Sequence, residues 1–304
     1  MTFVLAVHGR ESIRLVADRR LSYGGRRPPI DDAMKVVGLD TVDGVGLLAY
    51  AGLGATARGT QPSEWISNVL RGRGGIGFEE SLSVLAAAAN RELPRHLGMM
   101  RYAVNHILVP ARLYGLGPRM FSIDNKLASG THSYRFADHR LDTDLSSALR
   151  VAAAGSGANY LLSGGKARLR ELLGLVKAND LGRVSDLAVA DRFAELNWKT
   201  HRATTDGTVG PRCIVVWRRW PGSRLSAAGG GQQSYDGVDR ESVGPSIPSI
   251  ANGIDLQALV AVIMQTTGAE MAWALQAHES PAIDYRTKQQ LVDELPSEPD
   301  EKLR

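Results

Sequence analysis

The second residue of the chain could become a nucleophile that carries its own base. Thr2 directly follows Met1, so removal of the initiator methionine would leave one residue with both a hydroxyl and a free α-amine. A free α-amine has an ordinary pKa of about 7.7 to 8.0, so it can accept the hydroxyl proton directly or through water. Many chains have a small residue after methionine, so Thr2 indicates a site only if other residues support it.

Two charged residues interrupt apolar segments further along. Asp18 closes the largely apolar segment 13–17, and Lys35 lies within the apolar segment 34–39. Each has an ordinary explanation, because acidic residues often end strands in turns and lysines often protect the edge of a sheet. Taken singly, neither residue predicts a function.

Two glycine motifs lie where strand-like segments give way to helical ones. They are Gly52-Leu53-Gly54 and Gly155-Ser156-Gly157. Glycine lets the backbone turn sharply and brings N–H groups close to a ligand, although ordinary turns use it in the same way. Neither motif has the spacing of a dinucleotide site, and the lysine and hydroxyl residue of a P-loop are absent.

Composition disfavours several other chemistries. Cys213 is the only cysteine, so neither an intrachain disulfide nor a cysteine zinc cluster is expected, and its apolar neighbours favour a buried thiol. The seven histidines show no HExxH or other metal-ligand spacing, which disfavours a metal site.

The charge pattern does not indicate a nucleic-acid partner. The formal charge of +4 is small for 304 residues, and the basic residues are scattered. The densest basic cluster, within residues 14–27, alternates with apolar residues and favours a solvated strand edge. No segment is long and apolar enough for a membrane-spanning helix, and residues 3–7 are too few for a signal peptide, so we expect a cytoplasmic protein.

The elements that must position these residues alternate between strand and helix composition. Strand-like segments lie at about 2–8, 12–19, 34–39, 45–50, 101–111, 113–123, 130–136, 149–154 and 213–217, and helical spacing covers about 62–70, 78–93, 158–177 and 184–201. This order suits two sheets packed face to face with a helical layer outside each. We therefore expect an α+β fold, a four-layer αββα sandwich.

Composition also divides the chain into three parts. Residues 1–220 are expected to form the globular domain, and 221–254, rich in Gly, Ser and Pro, a flexible linker. Residues 255–304 predict a C-terminal amphipathic helix followed by a polar tail. An isolated helix is marginal in water, so this one is expected to dock on its own domain or on a neighbouring subunit.

Taken together and in order, these motifs resemble the proteasome β-subunit family of N-terminal nucleophile (Ntn) hydrolases, including its bacterial proteasome-related homologues. The resemblance covers about residues 2–217. It matches Thr2, the Asp18-x-Arg20 pair, the strand lysine Lys35, the oxyanion glycine Gly52, Ser156 within Gly-Ser-Gly, and Asp206 with Gly210. The chain departs from the family at Val209, where a serine is usual, and Thr208 stands one position earlier.

The resemblance implies the roles of the site residues in a threonine peptidase or amidase. Thr2 would attack an amide carbonyl, Lys35 held by Asp18 would favour its ionised hydroxyl, and the Gly52 N–H would stabilise the oxyanion. Ser156 and Asp206 would position the amine. No cofactor is implied.

Two other hypotheses stay open at this stage: a catalytically silent scaffold subunit, and an amidase that acts on a small molecule. The resemblance also implies a peptide or unfolded-protein substrate and self-assembly into a ring or stacked oligomer. No motif identifies an unfoldase partner.

Overall fold

The computed structural model describes residues 2–22, 28–52, 61–97, 104–125, 133–139, 149–163, 165–205, 207–219 and 229–277. Within these ranges the chain is a mixed α+β structure with two sheets and six helices. The strands are β1 (Val4–His8), β2 (Ser12–Asp18), β3 (Val36–Thr41), β4 (Gly44–Ala51), β5 (His106–Leu113), β6 (Gly117–Asp124), β7 (Arg135–Asp138), β8 (Arg150–Ala154), β9 (Arg212–Arg219), β10 (Gly230–Asp236), β11 (Asp239–Arg240), β12 (Ser249–Ala251) and β13 (Ile254–Asp255). The helices are α1 (Pro62–Leu70), α2 (Phe78–Leu97), α3 (Ala158–Ser163), α4 (Lys166–Asp180), α5 (Asp186–Ala203) and α6 (Leu256–Ala277).

The strands form two sheets that are almost wholly antiparallel. The first has the order β11-β10-β9-β2-β1-β8, and the second has the order β13-β12-β3-β4-β5-β6-β7. One pairing in the described chain, β12 with β3, is parallel. The predicted N-terminal hairpin is confirmed, because β1 and β2 pair from Val4 with Ala17 to His8 with Ile13.

Buried apolar residues fall into three clusters that follow the alternation of the strands. Successive side chains of a strand point to opposite faces, so Val4 and Ala6 join a cluster made by both sheets. Phe3, Leu5 and Val7 instead join a cluster with residues of α3, α4 and α5. A third cluster combines the second sheet with α1 and α2. The hairpin thus has apolar residues on both faces because both faces are covered.

Two predicted elements have different bounds in the structure. The helix expected over about 158–177 is two helices, α3 and α4, with Gly165 as the N-cap of the second, which fits the low helix propensity of glycine. The strand expected over about 101–111 begins at His106, and part of its predicted range lies outside the described residues.

The segment that composition marks as a linker contributes strands to both sheets. β10 pairs with β9 along its whole length, from Gly230 with Arg218 to Asp236 with Arg212. Backbone ladders do not need apolar side chains, and Gly231 lets the chain lie against the Trp217 ring, which a Cβ would strike. Regular structure therefore extends further than the composition predicts, and the domain boundaries at 220 and 254 stay predictions.

The basic cluster near the N terminus is not a solvated edge where it is described. Arg14 and Arg19 are only 1% and 5% exposed. Arg14 is paired with Asp180 and Asp186, which lie far along the chain. Burial nevertheless lowers the pKa of Arg14, although the neighbouring carboxylates oppose the shift. The interpretation as an edge was wrong because these long-range acidic partners are not visible in local sequence.

Among the described helices, none is both long and apolar enough to cross a membrane.

Candidate active site

The Thr2 hydroxyl lies between a carboxylate and an ammonium group. Thr2 precedes β1 and is separated from it by Phe3, and its Oγ1 donates a hydrogen bond of 2.8 Å to Asp18 Oδ1. The same oxygen accepts a short hydrogen bond from Lys35 Nζ. All three side chains are buried. The structure thus brings together the first three residues that the sequence singles out: Thr2 shortly before β1, Asp18 at the end of β2 and Lys35 directly before β3.

Asp18 is held by hydrogen bonds to both of its carboxylate oxygens. Oδ1 also accepts from the Phe3 N–H at 2.9 Å and from Lys35 Nζ at 3.1 Å. Oδ2 accepts from the Gly210 N–H at 2.9 Å and from the Arg20 N–H at 3.3 Å. Because each oxygen has at least two donors, the carboxylate has a fixed orientation toward Thr2 and Lys35.

Lys35 is a lysine with almost no contact with water. It is 2% exposed, and its carbonyl accepts from the Tyr50 N–H at 3.0 Å, which ties the residue to β4. Burial lowers the pKa of the Lys35 ammonium, while the Asp18 carboxylate partly offsets this shift. Lys35 therefore loses its proton more readily than an exposed lysine does. The Asp18 carboxylate opposes this effect, because it favours the charged form of Lys35 beside the Thr2 hydroxyl.

Arg20 links the loop after α5 to the segment that precedes Lys35. Its guanidinium forms a bidentate pair with Asp31, at 2.6 and 2.7 Å, and donates to the Gly207 carbonyl at 2.7 Å. The bond with Asp31 is the main cause that raises the pKa of Arg20. Arg20 is thus a permanent cation that connects the segment at Asp31 with the segment at Gly207.

Gly52 directly follows β4 and has a conformation that favours glycine. Its φ is 157°, and a Cβ on it would collide with the Asn105 side chain. Asn105 is fully buried; its Oδ1 accepts from the Tyr50 hydroxyl at 2.7 Å and its Nδ2 donates to the Tyr134 hydroxyl at 3.0 Å. Burial raises the pKa of Tyr134 to about 12, so its hydroxyl keeps its proton.

Asn105 is therefore a neighbour of Gly52 that the sequence analysis missed. It stands as an ordinary polar residue just before β5, and no motif marks it. Leu53 and Gly54, which complete the glycine motif, lie outside the described residues.

The Gly155-Ser156-Gly157 turn packs against the main chain of Thr2. The Gly157 N–H donates to the Thr2 carbonyl at 3.4 Å. Gly155 has a φ of 87°, and a Cβ there would strike the same carbonyl. Glycine is required here both for the left-handed conformation and for the close approach.

Ser156 contacts the hydroxyl of Thr208, the residue before Val209. Its Oγ lies 2.7 Å from Thr208 Oγ1. Val209 is fully buried in the cluster formed with α3, α4 and α5. Asp206, the last predicted site residue, lies outside the described residues.

Neither the buried cysteine nor a cluster of metal-ligating side chains offers a competing site in the described part of the chain. Burial raises the pKa of the Cys213 thiol, which disfavours the thiolate that a cysteine nucleophile requires. Among the described residues, no three His, Cys, Asp or Glu side chains are grouped so that they could hold a metal ion.

Comparisons with known proteins give structural likenesses only. No protein-family model matches the chain, and no curated protein matches it. Its structure is similar to that of Anbu (ancestral beta-subunit) from Yersinia bercovieri, with a TM-score of 0.48, 13% identity and coverage of 93% of this chain and 99% of that one. It is also similar to Anbu from Hyphomicrobium sp. strain MC1 (TM-score 0.43, 12% identity, 76% and 86% covered) and to the helical assembly of the Anbu complex from Pseudomonas aeruginosa (0.41, 15%, 93% and 99%). Likeness at this level assigns no activity to this chain.

Proposed function

We propose that the protein is a threonine-type peptidase or amidase that uses Thr2, freed by removal of Met1, as its nucleophile. The observation that carries this proposal is the contact of one buried hydroxyl, Thr2 Oγ1, with both Asp18 and Lys35. A threonine hydroxyl is a poor nucleophile, and an adjacent cation favours its ionised form. A purely structural threonine has no need of a buried ion pair.

The reaction follows from the groups at the N terminus. Removal of Met1 converts the Thr2 peptide nitrogen into an amine, which takes the proton from the Thr2 hydroxyl as Oγ1 attacks the substrate carbonyl carbon. The Gly52 N–H donates to the resulting oxyanion. The intermediate then expels the substrate amine, which receives the proton, and leaves an ester on Thr2. The α-amine of Thr2 then deprotonates a water molecule, which attacks the ester carbonyl carbon. The acyl group leaves as a carboxylic acid, and the proton returns to Thr2 Oγ1.

Three further groups are assigned to holding the new amine. Ser156 and Asp206 take this role in the family that the sequence resembles, and we propose that Thr208 completes the network in place of the absent serine. The 2.7 Å contact between the Ser156 and Thr208 oxygens supports that substitution.

The three apolar clusters support the four-layer αββα arrangement in which such a site would stand.

The state of the N terminus gives the first test. Thr2 is fully buried, and we propose that Met1 is removed before a substrate binds. Mass spectrometry of the purified protein should show Met1 removed. Quantitative retention of Met1 would rule out the mechanism.

A threonine-reactive electrophile, such as a peptide epoxyketone, gives the second test. It should modify the wild type at Thr2 and leave Thr2→Ala unlabelled, while Thr2→Ser, which keeps the hydroxyl, retains labelling. A Met1-free protein that folds but is not labelled would instead favour the silent scaffold. Comparison of peptide and small amide substrates would separate a peptidase from a small-molecule amidase.

We also propose a cytoplasmic location and self-assembly, both of which rest on the sequence. Self-assembly is also supported by the exposed apolar side chains of α6, which are Leu256, Val260, Ile263 and Met264.

A further inference from the structure

We infer that Glu241, in the segment after residue 220, is a positioning residue for the Asp18–Lys35 pair. This inference rests on the proposed function, because it concerns the same site. It gives a functional role to a residue within 221–254, the segment whose composition predicts a flexible linker.

Arg19, the residue that follows Asp18, is bonded to Glu241. Arg19 is 5% exposed, and its Nη1 donates to Glu241 Oε2 at 3.0 Å. A buried guanidinium needs a carboxylate partner, since an unpaired buried cation is costly. Glu241 supplies that partner from the segment beyond β9.

Arg19 in turn holds the segment that leads to Lys35. Its Nη2 donates to the Asp32 carbonyl at 3.2 Å, and its own carbonyl accepts from the Ala33 N–H at 3.0 Å. These two bonds fix residues 32 and 33 against the residue next to Asp18. The separation of Asp18 from Lys35 thus depends on how Arg19 is oriented.

Glu241 is itself fixed on a short hairpin. Its N–H donates to the Ser234 carbonyl at 2.9 Å, and its carbonyl accepts from Gln233 Nε2 at 2.8 Å. Both of these partners lie in β10, which pairs along β9. The carboxylate is therefore held at a fixed point on the first sheet, and from there it orients Arg19.

The test compares Glu241→Gln with a matched variant of the same hairpin, Asp236→Asn. Asp236 pairs with Arg212 at 3.1 Å where both side chains are substantially exposed, and Arg212 also lies 4.0 Å from Glu241 Oε1. Loss of the Asp236 carboxylate therefore removes one negative charge but leaves the bond between Arg19 and Glu241 in place. We expect Glu241→Gln to slow the inactivation step with a threonine-reactive electrophile by roughly tenfold to a hundredfold, with binding of the electrophile unchanged. Asp236→Asn should behave as the wild type, and Glu241→Asp, which keeps the charge, should lie between.

A second readout does not depend on catalysis. In protein with ¹³Cε-labelled lysine, the Lys35 signal, assigned by its loss in Lys35→Arg, should titrate at a different pH in Glu241→Gln than in the wild type. If the wild type is never labelled by the electrophile, the proposed function fails, whereas the Lys35 titration still decides the positioning role. An unchanged Lys35 titration in folded Glu241→Gln, or an equal change in Asp236→Asn, would overturn the inference.

Discussion

The Nζ atom of Lys35 lies 3.1 Å from Asp18 Oδ1, and the two side chains are 1% and 0% exposed. Such a pair is costly to break, because loss of one partner leaves the other charge buried without compensation. The pair therefore links the stability of the molecule to the site that we propose for catalysis.

Replacement of Lys35 by methionine should lower the free energy of unfolding by about 3 to 5 kcal/mol and abolish labelling at Thr2. The double variant Asp18→Asn with Lys35→Met should lose less than the sum of the two single losses, because neither charge is then left unpaired. Urea unfolding measures the change. Lys166, which is exposed at the start of α4, is the control, and its replacement by methionine should stay within about 0.5 kcal/mol of the wild type. Equal effects of the two lysine replacements would contradict the role of the ion pair.

Replacement of Gly52 by alanine should remove most of the activity toward an amide substrate. The new methyl group would collide with Asn105 and shift the N–H to which we assign the oxyanion, and loss of such a donor costs about 2.7 to 4 kcal/mol of transition-state stabilisation. Steady-state kinetics should show the loss mainly in kcat. Gly174→Ala is the control, because it lies in α4 with open space at its Cβ. An active Gly52→Ala enzyme would remove Gly52 from the mechanism.

Local pattern predicts much of this fold, because alternation and helical spacing act over a few residues. The hairpin at Val4–Asp18, the helices α1 and α2, and the strand β9 all lie close to their predicted positions. The same local reasoning does not predict the strands within residues 230–255. Their strands are stabilised by backbone pairing with β9 and β3, which composition does not encode.

Local sequence likewise predicts some residues of the site and misses others. Thr2, Asp18 and Lys35 could be selected because Thr2 follows Met1, because Asp18 and Lys35 are charges in apolar segments, and because their order resembles that of a known family. Asn105 could not, since the two tyrosines that it bonds are far from it in the chain. Local sequence does not distinguish Arg19 from a surface residue, because its carboxylate partner follows more than two hundred residues later.

His8 should make the protein lose stability in mild acid. Burial lowers the pKa of His8 from 6.5 to about 4, although its ring nitrogens lie within hydrogen-bonding distance of the Gly9 and Ala111 carbonyls. Between these two pH values the unfolded chain binds the proton and the folded one does not, so stability falls as the pH drops from 6.5 to 4. The full loss is about 3 kcal/mol.

The measurement is urea unfolding from pH 7.5 to 4 of the wild type and of His8→Gln, which does not titrate in this range. The free-energy difference between the two proteins should change with pH only within that window. A constant difference would show that His8 keeps its ordinary pKa in the folded state.

The exposed face of α6 should contribute to self-assembly. Leu256, Val260, Ile263 and Met264 recur at helical spacing on one side of the helix, and all are exposed, up to 69% for Met264. Apolar side chains gathered on one exposed helix face are typical of a surface that another chain covers. Replacing Val260 and Met264 together by glutamine should therefore reduce the mass of the particle in light scattering without lowering the stability of the subunit. Ala261→Gln, also exposed but about a quarter turn away on the helix, should leave the mass unchanged. If the double variant keeps the wild-type mass, this face is not the contact between subunits.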